Sequence, residues 1–427
     1  MPQSEQRNTA DQAHSDSIAE QYRRTRAMSE GLVAPLSDAD ATIQSMEDAS
    51  PAKWHLAHTT WFWETFLLRE HAPDYRLHNA EWPFLFNSYY EAEGARIGRF
   101  SRGMLSRPSL ETILEWRAVV DAAMQPLLES GNHDKLIALG VAHEQQHIEL
   151  LLTDIKHALF QNPLSPAMFE GDAAKTESLG AIGWHRHPGG VALIGHDGGG
   201  FAFDNEGPRH RTLLEPFALA DRLVTNREWS DFVADGGYNN ASLWLSDGLA
   251  WVRENGIEAP LYWRDDESFT HSGFQLRNPD APVTHISYFE ADAFAAWAGA
   301  RLPTEFEWEA IARGQNGPDD NGKDAPAAHD PSSGNQLDAA TAPLPTGGSD
   351  MFGDCWQFTR SAYLPYPRFQ SAAGAVGEYN GKFMSGQFVL KGASCATMRG
   401  HSRASYRNFF YPHQRWQFTG LRLAKDI

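Results

Sequence analysis

The sequence VAHEQQHIELLLTDI, residues 141–155, constrains the rest of the chain more than any other stretch. Its apolar residues recur at helical spacing and neither Gly nor Pro interrupts them, which predicts a buried α-helix. His143 and His147 are four residues apart, so both project from one face of that helix, about one turn from each other. Two imidazoles at this separation can bind one metal ion. The alternative is a polar stripe whose histidines only hydrogen-bond within a core.

A helical bundle is predicted around this helix, because three further segments show helical apolar spacing before residue 160. Metal sites in such bundles are assembled from facing helices. The predicted helices are residues 17–34, a segment that begins near Pro51 with Ser50 as its N-cap, residues 110–128, and the helix that contains residues 141–155.

The second predicted helix carries its own candidate ligand. Trp54, His58, Trp61 and Phe62 share one face by their spacing, so His58 should point inward with the aromatic side chains. His55 precedes His58 by about one turn and is the competing ligand candidate on this helix. The spacing therefore leaves two candidates, His55 and His58, for a metal ligand on this helix.

A long segment, residues 77–107, separates the second and third predicted helices and shows no clear period. It is rich in aromatic residues and arginine, and it contains Tyr89 and Tyr90 directly after Asn87 and Ser88. Loops of this length inside a compact domain are usually functional. A surface loop without a function is the alternative.

The composition changes after about residue 165. The predicted order is a disordered tail at residues 1–16, a linker at residues 166–185, and then a Gly- and Trp-rich half with short strand-like runs. Helices are predicted there for residues 287–299 and 305–313, followed by an irregular loop at residues 314–349. This half is therefore predicted to be α+β.

The overall charge limits the kinds of partner. The 427 residues include 36 Lys plus Arg against 55 Asp plus Glu, a formal net charge of -19, which argues against nucleic acid and anionic membranes. A small-molecule substrate is expected instead. No apolar run is long enough for a membrane span or signal peptide, which predicts a cytoplasmic protein. Cys355 and Cys395 form no CxxC motif, so reduced thiols are expected.

Several motifs resemble known families. The C-terminal half resembles the formylglycine-generating-enzyme-like branch of the C-type-lectin-like fold through LADRLVTNREWSDFV, PVTHISYFEADAFAAWAGARLPTEFEWEAIAR, MFGDCWQFTRSAY, VLKGASC and TGLRLAK. Residues 17–165 resemble the DinB-like four-helix bundle through WHLAHTTWFWETFLL and HEQQHIELLLTDI. The pairing of this bundle with a C-type-lectin-like domain, expected at residues 186–427, is similar to the sulfoxide synthases of ergothioneine biosynthesis, the EgtB family.

That resemblance implies one mononuclear non-haem iron(II) held by His58, His143 and His147. The implied enzyme is an oxidoreductase with O2 as co-substrate. It would join hercynine, which is trimethylhistidine, to cysteine through a C–S bond and give hercynylcysteine sulfoxide. Neutral imidazoles suit iron(II), and three of them leave coordination positions open for a thiolate and O2.

The resemblance also assigns residues to hercynine. A quaternary ammonium group has no hydrogen to donate, so aromatic faces and carboxylates must recognise it. The matching positions are Asn408, Phe409 and Phe410, with Trp54 closing the cage and Gln146 bonded to the substrate imidazole. A strand-end aromatic pair that only fills a core is the alternative.

Tyr89 and Tyr90 match the family positions that supply a proton or an electron during oxidation. Arg96 and Arg99 follow closely, and a guanidinium suits the carboxylate of an amino-acid donor. The FNSYY sequence resembles the branch that uses free cysteine. Gamma-glutamylcysteine, or a selenosugar in selenoneine synthesis, is the alternative donor.

The motifs are also compatible with two other classes of protein. His143–His147 also satisfies HExxH, the zinc-peptidase pattern in which Glu144 would be the general base. A non-catalytic binding module is the second class, since many lectin-like domains only bind. Formylglycine generation is not expected, because Cys355 and Cys395 stand at other positions than the reactive cysteine pair of those enzymes.

Overall fold

A computed structural model describes residues 16–171, 179–315, 327–371 and 380–427. All but the last residue of the expected disordered tail therefore lies outside the described residues, as do residues 172–178 of the expected linker and residues 316–326 of the expected loop. The α-helices of the described residues are α1 (Ile18–Val33), α2 (Asp38–Thr42), α3 (Ala52–Phe62), α4 (Arg69–His71), α5 (Trp82–Phe86), α6 (Leu110–Ser130), α7 (Asp134–Gln161), α8 (Asn226–Ala234), α9 (Ser246–Glu254), α10 (Tyr288–Trp297) and α11 (Glu305–Ala312).

The predicted four-helix bundle is confirmed and consists of α1, α3, α6 and α7. Ser17 caps α1 in a capping box with Glu20, which explains why the helix begins there. The prediction that Ser50 caps α3 is wrong, because Pro51 occupies the N-cap position and makes no side-chain cap bond. The backbone N–H of Ser50 instead donates to Asp154 of α7 at 2.8 Å.

Helices α3 and α7 approach each other closely near the predicted ligands. A π-helical segment, Trp63–Leu68, continues α3 in place of regular α-helix. A Cβ atom on Gly140 of α7 would lie only 2.5 Å from Cη2 of Trp63. Glycine therefore lets α7 pack directly on the Trp63 indole, three residues before His143. Within the part of the chain that the structure describes, no helix has the length and apolar character needed to cross a membrane.

The C-terminal half is built from small sheets. Its strands are β1 (Trp184–His187), β2 (Gly190–Ile194), β3 (His210–Leu214), β4 (Phe217–Ala220), β5 (Trp263–Arg264), β6 (Glu267–Thr270), β7 (Gly273–Leu276), β8 (Trp356–Ala362), β9 (Phe388–Gly392), β10 (Asn408–Phe410), β11 (Thr419–Gly420) and β12 (Ala424–Asp426). Strands β1, β4 and β12 form one antiparallel sheet, and β2–β3 and β5–β6–β7 form two more. The fourth sheet is mixed, in the order β10–β9–β8–β11, because β11 pairs with β8 in parallel. The predicted α+β class is confirmed.

Helices α10 and α11 confirm the two helices predicted in this half, and Ser287 and Thr304 cap them. Helices α8 and α9 were not predicted. Helix α8 begins with a capping box formed by Thr225 and Glu228, a signal that the strand-like run before it obscured. The expected domain boundaries, 17–165, 166–185 and 186–427, stay a prediction.

The two halves share one continuous interface along α7. One hydrophobic cluster contains bundle residues together with Tyr262, Phe269 and Phe418 of the lectin-like half. Next to it, the buried carboxylate of Glu149 on α7 accepts hydrogen bonds from Trp356 Nε1 at 2.6 Å, and from hydroxyl groups of the lectin-like half. Helix α7 of the bundle therefore packs directly against the lectin-like half.

Candidate metal centre

Three histidines from two helices meet in the bundle interior. His58 of α3 and His143 and His147 of α7 each offer a ring nitrogen, and these atoms all lie within 4.8 Å of one another. The ring centroids are 5.0 Å apart for His58 and His143, 4.6 Å for His58 and His147, and 4.7 Å for His143 and His147. The structure thus brings together the predicted ligand set.

The protonation of His58 suits a metal ligand. Its Nδ1 lies 2.6 Å from the carbonyl oxygen of Phe86, which can only accept, so Nδ1 carries the proton. Its Nε2 is buried and has no hydrogen-bond partner among the described residues. Burial lowers the pKa of all three histidines, to about 3 for His143, which keeps the imidazoles neutral. A buried bare nitrogen in a set of neutral imidazoles fits a divalent transition metal such as iron or zinc.

His55 lies behind this triad. Its Nδ1 is 2.9 Å from Nδ1 of His147, and its Nε2 is 3.1 Å from Oδ2 of Asp154. Both ring nitrogens are therefore engaged in hydrogen bonds. Of the two histidines that the sequence left open on α3, His58 contributes its nitrogen to the triad and His55 does not.

Glu144 turns away from the triad, toward α1 and α6. Its carboxylate accepts hydrogen bonds from Arg117 Nη2 at 2.5 Å, Arg26 Nη1 at 3.1 Å, Trp63 Nε1 at 2.8 Å and Ser29 Oγ at 2.7 Å. Against the effect of burial, the two arginines hold the pKa of Glu144 far below its usual range. A general base must instead reach a metal-bound water, so this geometry argues against the zinc-peptidase alternative.

Trp54 and Arg102 line the site on the side of α3. The indole of Trp54 stacks on His58 with ring centroids 4.7 Å apart, and the guanidinium of Arg102 lies 3.4 Å from the indole centroid. Trp54 is buried and its ring contacts these two groups, so its role in a cation cage stays a prediction.

Arg102 was not among the site residues predicted from the sequence. It donates to Ser50 Oγ at 2.9 Å and Ser88 Oγ at 3.0 Å, while its Nε has no partner and no carboxylate pairs with it in the described ranges. Burial lowers its pKa to about 9. The available signal was its position in the arginine-rich loop, but only the tertiary structure distinguishes it from Arg96 and Arg99.

The predicted donor-binding arginines lie nearer the surface. Arg96 pairs with the exposed carboxylate of Glu91 at 2.6 Å. Arg99 hydrogen-bonds the backbone carbonyl of Asp48 and lies 3.9 Å from its carboxylate. Their role in binding the donor stays a prediction.

The two predicted tyrosines stack on each other, with ring centroids 5.1 Å apart. Tyr90 is buried and lies against Trp61, at 5.6 Å between centroids, and Trp61 in turn stacks on His58 at 5.5 Å. Tyr89 faces Phe383 of the lectin-like half at 5.4 Å. Tyr90 is thus one aromatic ring removed from a triad histidine, and Tyr89 lies at the junction between the halves.

The predicted hercynine residues lie at this same junction. Gln146 of α7 donates to Tyr406 Oη at 2.6 Å, which connects the triad helix to the lectin-like half. Asn408, Phe409 and Phe410 form β10 and are half-buried. Phe409 contacts Phe383 at 6.0 Å between centroids, and Phe383 contacts Tyr89. Their roles as substrate contacts stay predictions.

Comparisons with known proteins agree with the two halves. Residues 184–427 match the family described as "Sulfatase-modifying factor enzyme 1-like domain", and residues 21–151 match the DinB superfamily. A formylglycine-generating enzyme of Streptomyces coelicolor is 36% identical over 162 residues, which cover 34% of this chain and 50% of that protein. The expected architecture, a DinB-like bundle followed by a formylglycine-generating-enzyme-like domain, is confirmed.

Two relatives match almost the whole chain. The "Hercynine oxygenase" of Mycolicibacterium smegmatis is 32% identical over 437 residues, covering 96% of this chain and 99% of that protein. The protein of the same name from Mycobacterium tuberculosis is 33% identical over 440 residues, with the same coverage of both chains. The resemblance derived from the motifs is therefore confirmed, and the chain belongs to the hercynine oxygenase family, the EgtB family, and is an enzyme of the oxygenase class.

Proposed function

We propose that this chain is a non-haem iron(II), O2-dependent sulfoxide synthase that joins hercynine to cysteine and gives hercynylcysteine sulfoxide. The observation that supports it most is the triad of His58, His143 and His147, with the buried Nε2 of His58 left without a partner among the described residues. Hercynine as the substrate comes from the names of the full-length relatives. Cysteine as the donor comes from the resemblance of the FNSYY segment.

The proposed reaction balances in atoms and electrons. A C–H bond of the hercynine imidazole and the S–H bond of the thiol break, and a C–S bond and an S–O bond form. The organic substrates lose four electrons, which O2 accepts, so that one oxygen atom enters the sulfoxide and the other leaves as water. Bound iron(II) would supply the one-electron chemistry that lets O2 react with closed-shell organic molecules.

The protein's own residues would position the two substrates. Gln146 and the aromatic residues of β10 line the junction of the two halves, where a half-buried ring can contact a trimethylammonium group. Arg102 is a buried cation whose hydrogen-bond partners among the described residues are hydroxyl groups, and a bound carboxylate would neutralise it. We assign Arg102 to the carboxylate of a substrate, beside the predicted roles of Arg96 and Arg99. Holding both substrates in one cavity makes the coupling effectively intramolecular.

The phenol groups of Tyr89 and Tyr90 would control how the oxidation ends. Either Oη can donate a proton, and a phenol can also lose an electron with it. We expect Tyr89→Phe or Tyr90→Phe to shift the products from the sulfoxide toward oxidised cysteine, as measured by mass spectrometry. Unchanged product ratios in both variants would remove the tyrosines from the mechanism.

The direct test is anaerobic reconstitution with Fe(II), followed by air and hercynine together with one donor: cysteine, gamma-glutamylcysteine or a selenosugar. We expect hercynylcysteine sulfoxide with cysteine, and no product without iron or with Zn(II) in its place. Product with a selenosugar alone would assign selenoneine synthesis instead. No coupling with any donor would contradict the proposed activity.

His143→Ala tests the ligand assignment within the same assay. We expect this variant to lose bound iron and activity. His413→Ala is the matched control, because His413 is exposed in the lectin-like half and should keep both. Full metal content in the His143→Ala protein would overturn the assignment.

A further inference from the structure

A chain of hydrogen bonds extends behind the triad, from His147 through His55 to Asp154. The first contact joins the two Nδ1 atoms at 2.9 Å, and the second joins His55 Nε2 to Asp154 Oδ2 at 3.1 Å. His55, His147 and Asp154 are all buried, at 3%, 8% and 3% exposure. Solvent therefore does not compete for these contacts, and the positions of the protons are set by the partners alone.

Asp154, at the far end of this series of hydrogen bonds, determines which atom donates in each bond. The backbone N–H of Ser50 donates to Asp154 Oδ2 at 2.8 Å, and Trp416 Nε1 donates to Oδ1 at 3.0 Å. A carboxylate that receives these donors also accepts from His55 Nε2, which must carry a proton. Burial lowers the pKa of His55, so its ring is neutral and its Nδ1 is bare. Only one proton can lie between two Nδ1 atoms, so His147 carries it and donates.

His147 is thereby left with a bare Nε2, the same form that His58 has. In His58 the Nδ1 proton is held by the backbone carbonyl of Phe86, at 2.6 Å. In His147 the equivalent acceptor is the side chain of His55. His58 and His147 thus have the same protonation state, but a backbone carbonyl holds the proton in His58 and a side chain holds it in His147. Only the side-chain acceptor can be removed by mutation.

We propose that His55 is a positioning residue, which holds the proton of His147 on Nδ1 and orients Nε2 toward the nitrogens of His58 and His143. Through Asp154 and Trp416, this orientation is connected to the lectin-like half, because Trp416 is the residue of that half that donates to the Asp154 carboxylate. The metal-binding consequence of this inference rests on the proposed function, whereas the position of the proton on His147 does not.

Two substitutions of His55 distinguish the effect of its acceptor atom from the effect of its size. His55→Leu removes the acceptor and keeps an apolar side chain of similar reach. His55→Asn keeps an acceptor, since its amide oxygen can occupy the place of Nδ1. His157→Leu is the matched control on α7, because His157 bonds Ser45 and takes no part in the chain.

The experiment is anaerobic titration of the metal-free full chain with Co(II), followed by its visible absorption. Loss of such an outer partner typically weakens metal binding by about 10- to 100-fold, and we expect that range for His55→Leu. We expect His55→Asn and His157→Leu to bind Co(II) nearly as tightly as the unmodified chain. Trp416→Phe should give a smaller loss than His55→Leu, because Asp154 keeps the Ser50 donor.

A second measurement does not depend on metal. Nitrogen-15 NMR of the histidine-labelled, metal-free chain should show His147 protonated at Nδ1, and His55→Leu should abolish this preference while near-ultraviolet circular dichroism stays unchanged. Unmodified chain that binds no Co(II) but keeps the Nδ1 proton would refute the metal site and leave the role of His55 intact. Wild-type Co(II) affinity in His55→Leu, or an equal loss in His55→Asn with the fold intact, would overturn the inference.

Discussion

Replacing Glu144 by Gln tests whether this residue is structural or catalytic. The substitution keeps the shape of the side chain and removes one negative charge from between Arg117 and Arg26, whose guanidinium nitrogens lie 2.5 Å and 3.1 Å from its carboxylate. Arg117, Arg26 and Glu144 are all buried, at 1%, 3% and 0% exposure. Removing one partner of a buried ion pair leaves an uncompensated charge and costs about 3–5 kcal/mol.

The loss of the Glu144 charge should affect Arg26 less than Arg117, because Arg26 has a second carboxylate partner. Arg26 also pairs with Asp121 at 2.7 Å, which is a partly exposed carboxylate, whereas Arg117 forms its ion pair with Glu144. Arg117 should therefore carry most of the penalty. We expect the free energy of unfolding of the bundle to fall by about 3 kcal/mol or more.

Urea denaturation followed by tryptophan fluorescence measures this loss, with Co(II) binding measured on the folded protein at low urea. Glu111→Gln, at an exposed position in the first turn of α6, is the matched control and should change stability by no more than about 0.5 kcal/mol. Glu144→Gln should keep the triad, because its side chain points away from it. Unchanged stability together with abolished activity would refute the structural role and revive the general-base alternative.

Gly140, Lys156 and Arg102 can each be tested by one substitution. Gly140→Ala should destabilise the bundle by about 1–3 kcal/mol, because the added Cβ would lie 2.5 Å from the Trp63 ring; an unchanged melting temperature would contradict the close packing. Burial lowers the pKa of Lys156 to about 7, so between pH 7 and 10 the folded chain binds fewer protons than the unfolded chain and this lysine makes stability rise with pH. Lys156→Met should flatten that rise between pH 6 and 9 in urea denaturation, and an unaltered slope would contradict it. Arg102→Met should raise the KM of a carboxylate-bearing substrate about tenfold or more, as loss of a charge-assisted hydrogen bond does, whereas equal effects of Arg96→Met and Arg102→Met would contradict the special role of the buried arginine.

The sequence alone determined the helices of the bundle and the three ligand candidates. Helical spacing is a local property, so the HxxxH pair and the inward direction of His58 could be derived from residue order. The same holds for α10 and α11, whose Ser287 and Thr304 caps are visible in the sequence. The family motifs then identified both halves, because such motifs record residues in a defined order along the chain.

Only the tertiary structure decided which neighbours each of these residues has. The hydrogen-bond partners of His55 and His58 are Asp154 and Phe86, which are distant in sequence from both histidines. The burial of Arg102 beside Trp54 likewise depends on how the loop folds back over α3. Periodicity predicts which face of an element a side chain occupies, but the partner on the other side comes from a different segment. The physical reason is that a hydrogen bond or ion pair is a property of two segments in space, and one segment's residue order contains no information about the other's position.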